Sequence, residues 1–387
     1  MKETANDKTT FLRIKKENAE DLLRLIHKEF KKILVIDRKK KILYEGEYVL
    51  FPLVDSREII KKVSENISKS LTFDFCFRNG IINPKNKFKS INDVLINKIS
   101  PKMLKFIPKS YDIIGNIAIL EFDLIDRSNI EEISHFKKAV AEAVISINKA
   151  VKTVYEKKSE IKDIYRLREL NLLSGIDIHE TIYKENNCTF KLNVKNVYFT
   201  PRLVYERKRI TSSDIKINEN IFDLFAGVGT FSIQLAKIHN VKVFSFDINP
   251  HAYNYLKENI KLNKLEGLIY PYNLDIRDLI NPTNKIGNSL KTSADRIIMN
   301  LPESSINYID VACYLMKTQG GFIHIYQFCE KPNPIKKAIN NIKKSLSRYG
   351  WSIDNIIKSK VVKAYSPKSD LIVVDLKIKP IYNKIIS

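Results

Sequence analysis

Three aspartates stand where successive strands of a β/α alternation should end: Asp223, Asp247 and Asp275. Asp223 sits in 221–225, an apolar strand candidate ending at Phe225. That strand runs into Ala226-Gly227-Val228-Gly229-Thr230-Phe231 and then the helical stretch SIQLAKI. Gly227 and Gly229 allow a tight turn and a close backbone approach to a ligand at the helix start. Asp247, in SFDINP, ends the next strand, where an acid can bind both hydroxyls of a ribose. Asp275, in NLDI, ends the third and can accept from an adenine amino group. Each alone would serve as a helix cap. Three in order along one sheet edge suit a sulfonium cofactor with an ammonium tail, S-adenosylmethionine, better than a dinucleotide that needs a pyrophosphate site. Asp223 is placed to hold the ammonium.

The fourth strand ends in Asn300-Leu301-Pro302-Glu303. This resembles the (N/D)-P-P-(Y/F) motif of methyltransferases that act on planar nitrogen, with Leu in place of the first proline. The Asn300 amide can hold a base edge in its plane, and Pro302 stiffens the loop. Other charged residues are ambiguous on their own. Glu206 precedes Arg207, Lys208 and Arg209 and could simply pair with them on an exposed helix. Arg166 and Arg168 alternate on an apparent strand, and the residues alone do not choose between them.

The elements that must carry these residues fall into three parts: 1–85, 86–203 and 204–387. The third alternates strands (NIFDLF, VKVFSFDI, GLIYPYNLD, ADRIIMNL, GGFIHIYQF) with helices and closes on a hairpin from KVVKAYSP to SDLIVVDLKI. That rhythm predicts an α/β fold with a parallel, doubly wound sheet. The middle part is α+β. It has a helix over 135–155 with an Ala139, Ala143, Val144, Ile147, Val151 stripe, then two antiparallel strands turning near Asn186 and Asn187. The first part is a small α+β unit with a helix over 17–30 and short strands after it. Residues 56–90, rich in Lys, Asn and Ser, read as its last piece plus a linker.

Composition sets the outer limits. The chain has 387 residues, 44% of them hydrophobic, and no apolar run long enough to span a bilayer. The polar N-terminus reads as neither signal nor transit peptide, so the expectation is a cytoplasmic protein. Cys76, Cys188, Cys313 and Cys329 are scattered, which argues against a zinc site or a disulfide framework; no metal is expected. A net charge of +22 permits a nucleic-acid partner. The Lys, Ile and Asn richness of the whole chain weakens that inference.

The chain as a whole resembles the archaeal and eukaryotic type of tRNA (guanine-N1)-methyltransferase, which modifies the guanine 3′ of the anticodon, position 37. The resemblance is carried by SYDIIGNIAILEF, YRLRELNLLSG, IHETIYKENNCTFKLNV, VYFTPRLVYERKRI, IFDLFAGVGTFSI, FDINPHAYNYLKENIKLNKL, IIMNLPESS and KAYSP. It runs from about residue 10 to the end. It implies a small N-terminal module that checks the tRNA elbow, a middle domain that helps hold the anticodon loop, and a class I (Rossmann-like) methyltransferase domain.

By resemblance, Glu206 is the general base, Arg166 binds guanine O6 and Asn300 positions the base. Arg207, Asp247, Ile248, Asp275 and Ile276 contact the cofactor. Arg202, beside Glu206, and Arg168 are candidate RNA contacts. Thr230 replaces the family's usual Pro in AGVGPF, and Thr200 replaces Ser in VYFSPRL. Neither change removes a reactive group. A monomer is expected, because one chain carries every part. A wyosine-pathway methyl- or aminocarboxypropyltransferase on the same scaffold is the alternative; a decayed RNA-binding protein and a nicotinamide oxidoreductase fit less well.

Overall fold

The computed structural model describes residues 8–30, 33–81, 83, 90–96, 98–122, 130–158 and 164–381. The chain packs as two compact units. One is built from 1–111, 120–156 and 172–176, the other from 112–119, 157–171 and 177–387.

The first unit starts with β1 (Lys8–Lys15), α1 (Ala19–Glu29), β2 (Leu43–Glu45), β3 (Tyr48–Pro52), α2 (Arg57–Ile67) and β4 (Asp74–Asn79). The strands form an antiparallel sheet in the order β2-β3-β1-β4. Alternate residues Leu12, Ile14, Val49 and Phe51 face Leu22 of α1 and Ile59, Val63 and Ile67 of α2. The last piece of the first unit expected in 56–90 is therefore a helix and a strand. The Lys and Asn residues that suggest a loop line the solvent side of α2 and hide the one-in-four stripe Ile59, Val63, Ile67. Ser56 caps that helix, accepting from the Ile59 N–H at 3.4 Å.

Two short helices follow, α3 (Ile91–Leu95) and α4 (Pro101–Leu104). After them come a hairpin of β5 (Asp112–Ile114) and β6 (Ile117–Leu120), then α5 (Ile130–Ile147), β7 (Thr153–Lys157) and β8 (Leu170–Gly175). The helix expected over 135–155 thus stops at Ile147. The Asn148 side chain turns back onto the Val144 carbonyl, and Thr153-Val154-Tyr155 continues as a buried strand. β-branched and aromatic residues fit a pleated surface better than a helix end.

The second unit continues with β9 (Glu180–Glu185) and β10 (Cys188–Asn193), a hairpin in the expected register. Asn186 and Asn187 both take positive φ, as a two-residue turn between twisted strands requires. The rest is α6 (Val204–Thr211), β11 (Asn220–Asp223), α7 (Thr230–Ile238), β12 (Lys242–Asp247), α8 (Pro250–Leu262), β13 (Ile269–Asn273), α9 (Lys285–Leu290), β14 (Arg296–Met299), α10 (Ile309–Leu315), β15 (Gly321–Glu330), α11 (Pro334–Arg348), β16 (Trp351–Ala364) and β17 (Ser369–Pro380). Their sheet has seven strands in the order β13-β12-β11-β14-β15-β17-β16. Five, β13, β12, β11, β14 and β15, are parallel; β17 runs antiparallel to β15, and β16 antiparallel to β17. The doubly wound expectation holds. Strand order reverses between β11 and β14, which opens a crevice at the carboxyl ends of the strands.

The two edges of this sheet are irregular. On β13, Pro271 has no N–H to offer. On β16, the pairing with β17 slips at three places, between Ile353 and Asn355, Ile356 and Lys358, and Val361 and Lys363. Beneath the crevice, α8 binds the free side of β10 as if it were another strand. Asn259 accepts from the Lys191 N–H at 2.7 Å and donates to the Lys191 and Val228 carbonyls at 3.0 Å. One turn on, Asn263 does the same with both backbone groups of Thr189.

Asn259 is fully buried, so Asn259→Ala leaves three backbone groups without a partner. The expected loss is about 2–4 kcal/mol in urea unfolding. A variant whose midpoint matches the parent's would show that the ladder contributes nothing.

Candidate active site

The loop after β11 is shaped by its two glycines. Gly229, at φ 92°, starts α7; a Cβ there would lie 2.6 Å from Leu256 Cδ1 and 3.0 Å from Ile233 Cδ1. Gly227, at φ 56°, has open space around it, so backbone conformation and access decide that position. Asp223 lies fully buried under the loop. One carboxylate oxygen accepts from Ser232 Oγ at 2.7 Å; the other has no hydrogen-bond partner. Burial pushes its pKa up to about 6.

A cavity of about 270 Å³ opens above the loop. Phe225 and Gly227 from the first strand tip, Asp247 and Ile248 from the second, Asp275 and Ile276 from the third and Asn300 from the fourth all line it. Asp247 grips two backbone groups, accepting from the Gly227 N–H at 2.7 Å and the Asn249 N–H at 2.9 Å. Burial pushes it, too, up to about 6. Asp275 caps a short 3-10 turn through the Arg277 N–H at 2.9 Å. Apolar Ile248, Ala252, Leu274 and Ile276 complete this half. Two acceptor carboxylates on an apolar wall, with an open glycine between them, fit a ribose and a planar base, as S-adenosylmethionine presents.

The other half of the cavity belongs to Arg166 and Asn300. Arg166 takes φ 58°, in a turn and not on the strand expected for it. Its guanidinium lies 4.5 Å from the centre of the Tyr198 ring, and Nη2 reaches Glu303 Oε1 at 3.1 Å. Its Nε is buried without a partner, and so is the Asn300 Oδ1. An unused donor and an unused acceptor thus belong to two side chains that line one cavity. Pro302 does not line it. Its carbonyl accepts from the Phe328 N–H at 3.0 Å, which ties down the loop whose Leu301 and Glu303 do line it.

Asp223 and Gly229, like Pro302, do not line the cavity, and Glu206, Arg207, Arg202 and Arg168 also lie elsewhere. Glu206 is 3% exposed, so it is not on an exposed helix face, and it does not line the cavity. Its carboxylate pairs with Arg209 at 3.0 Å and with Lys360, and Tyr326 Oη donates to it at 3.4 Å. Arg207, expected at the cofactor, is buried at 2% exposure. Its Nη2 donates to Glu185 at 2.6 Å and to the Thr200 carbonyl at 3.3 Å. A guanidinium this deep needs a carboxylate, and Glu185 supplies it. Arg202 pairs with Asp112 at 2.6 Å, and Arg168 precedes β8 outside the cavity lining. Sequence reasoning missed Tyr198, Glu303 and Tyr308 as lining residues. Tyr198 and Glu303 were within quoted motifs; Tyr308 carried no signal.

Two family models match the chain: the TRM5/TYW2 methyltransferase domain over 181–353 and the TYW2 N-terminal domain over 91–178. A tRNA (guanine(37)-N(1))-methyltransferase, Trm5b of Pyrococcus abyssi, is 34% identical over 89% of this chain and 92% of its own length. The structure of a Trm5 in complex with tRNALeu is similar, with a TM-score of 0.65 and 31% identity, covering 95% of this chain and 99% of that one. So is TYW2 of M. jannaschii in complex with AdoMet, at TM-score 0.52 and 27% identity, over 70% of this chain and 100% of the other. With its sheet order, its glycine loop and its strand-tip acids, the chain belongs to the tRNA (guanine(37)-N1)-methyltransferase family, within the TRM5/TYW2 methyltransferases.

Proposed function

We propose that this protein methylates N1 of guanine 37 in tRNA, with S-adenosylmethionine as methyl donor. The observation that carries the reading is the pair of unpartnered buried atoms, Arg166 Nε and Asn300 Oδ1, on side chains that line the cavity of the strand-tip acids. The pairing edge of guanine offers the complement: O6 accepts, while N1–H and the exocyclic amine donate.

When bound, the cofactor supplies an electrophilic methyl group on sulfur. Asp247 accepts from the ribose hydroxyls and Asp275 from the adenine amine, and Ile248 and Ile276 exclude water from the ring. Asn300 accepts from the guanine edge and fixes the base plane. The N1 lone pair becomes available only when the N1 proton leaves, and negative charge then builds on O6. Arg166 stabilises that charge, and stacking on Tyr198 with the tether to Glu303 fixes its direction beforehand. Glu206 takes the proton. This role requires the RNA-bound state to bring N1 within hydrogen-bond reach of its carboxylate.

We also place the reaction on a cytoplasmic monomer, with 1–85 reading the tRNA elbow, 86–203 helping to hold the anticodon loop through Arg202 and Arg168, and 204–387 carrying the chemistry. Among the described residues no helix is long and apolar enough to cross a membrane.

Nucleoside mass spectrometry after incubation with a G37 transcript should give 1-methylguanosine, and an A37 transcript should give none. A tricyclic or aminocarboxypropyl product would favour the wyosine alternative instead. Arg166→Ala should slow single-turnover transfer by about 10²–10³-fold, the worth of one oxyanion-type donor. Glu206→Gln should abolish transfer while S-adenosylhomocysteine binding persists; a Gln variant at the parental rate removes the base role.

Asp247 adds a pH dependence. Burial raises its pKa to about 6, so its contribution to the ligand-free fold is present below the ordinary carboxyl range and lost as pH rises through 6. Ribose hydroxyls donate best to the ionised form. Calorimetric affinity for S-adenosylmethionine should therefore fall about tenfold between pH 7.5 and pH 5. An affinity that stays level over that range would take the ribose away from Asp247.

A further inference from the structure

The proposed base lies in a buried cluster of charges that the transfer step does not itself use. Glu206, on α6, meets charged or titratable groups from two other elements and from its own. Lys360 comes from β16 and takes Oε1; Arg209, on the same helix, takes Oε2 at 3.0 Å; and Tyr326, on β15, donates to Oε2 at 3.4 Å. Behind them, Arg209 also pairs with Asp375 of β17, whose Oδ1 lies 2.8 Å from His324 Nδ1 on β15. His324 Nε2 is 2.9 Å from Arg296, and Arg296 is held by Glu219 at 2.9 Å.

Charges in this cluster balance in only one way. Burial lowers the His324 pKa, so the ring is neutral at pH 7, and burial raises that of Tyr326, so the phenol keeps its proton. Three carboxylates remain: Glu206, Asp375 and Glu219. They face three cations: Arg209, Arg296 and Lys360. Arg296 belongs to Glu219. Arg209 is shared, and Asp375 takes two of its nitrogens. Lys360 has Glu206 as its ion-pair partner. Without Lys360, three buried carboxylates share two guanidiniums, and the one left short of charge is Glu206. A carboxylate that loses its ion pair also loses its fixed direction, and an acceptor must be aimed to receive the hydrogen of guanine N1.

We propose that Lys360 is a positioning residue for the reaction: its ammonium holds the Glu206 carboxylate in place, ready to receive the N1 proton. This rests on the reading of Glu206 as the base. Lys360 does not line the cavity. Its side chain is 37% exposed on an edge strand, so it can be replaced without opening the core.

The test is single-turnover methyl transfer to a G37 transcript over a range of enzyme concentrations, which separates the maximal rate from the apparent transcript affinity, for the full chain and for Lys360→Met, Lys360→Arg and Glu206→Gln. In Lys360→Met the maximal rate should fall about tenfold at an unchanged apparent affinity, because an acceptor that is no longer aimed loses rate and not binding. Lys360→Arg should restore the parental rate, and calorimetric S-adenosylhomocysteine binding should be unchanged in both. A Lys360→Met variant at the parental maximal rate, one that loses only transcript affinity, or a Lys360→Arg variant as slow as Lys360→Met overturns the proposal, while an inactive Glu206→Gln leaves the base reading standing. An active Glu206→Gln removes that reading, and the role of Lys360 falls with it.

Discussion

The carboxylate of Asp247 is the fixed point of the site. It accepts the Gly227 N–H from one strand tip and the Asn249 N–H from the start of α8. The glycine loop and the start of α8 are thereby held to one side chain that lines the cavity. The carboxylate is costly to bury, as its raised pKa records. The two backbone bonds offset part of that cost. Asp223, below the loop, differs: one oxygen accepts from Ser232 and the other has no hydrogen-bond partner. Asp247 thus has a backbone donor on each oxygen and Asp223 a donor on one, and burial raises both pKa values at neighbouring strand tips.

The high positive charge of the chain does not reach the cavity evenly. Arg207 and Arg209 come from a basic run that reads, in sequence, as part of an exposed helix. In the structure both point inward, onto Glu185 and onto Glu206 with Asp375. Glu185 is also held by Gln234 at 2.8 Å, and Gln234 by Asn186 at 2.8 Å. This polar chain ties the β9–β10 hairpin to α7, the helix that begins at Gly229. Each charge there has a specific counter-charge, which a buried ion needs if it is not to unfold its surroundings.

What was legible in the sequence follows from which physical rules are local. The seven-stranded sheet was visible because strand and helix alternate and strand ends carry glycine and acid. The turn at Asn186 and Asn187 was visible because only a few residues accept positive φ. Asp247, Asp275 and Asn300 line one cavity, as residues at the carboxyl ends of neighbouring parallel strands can. Helix α2 was missed because its solvent face is so polar that the buried stripe is diluted. The strand 153–157 was missed because Ala and Val residues continue the helical spacing past Ile147. The inward turn of Arg207 depends on Glu185, on another element, and no local pattern announces such a partner.

The two flanks of the large sheet have a consequence for how the protein behaves in a crowded solution. A bare strand flank is a template on which a second chain can grow a fibril. Here Pro271 breaks the row of donors on one side, and three slips of register bend the other out of line. Ile357 and Val361 are uncovered on that bent strand, yet lysines 358 and 360 alternate among them. A twisted, charged border of this kind gives an incoming strand no straight ladder to extend. The molecule can thus keep a largely apolar seven-stranded layer without feeding aggregation from its margins.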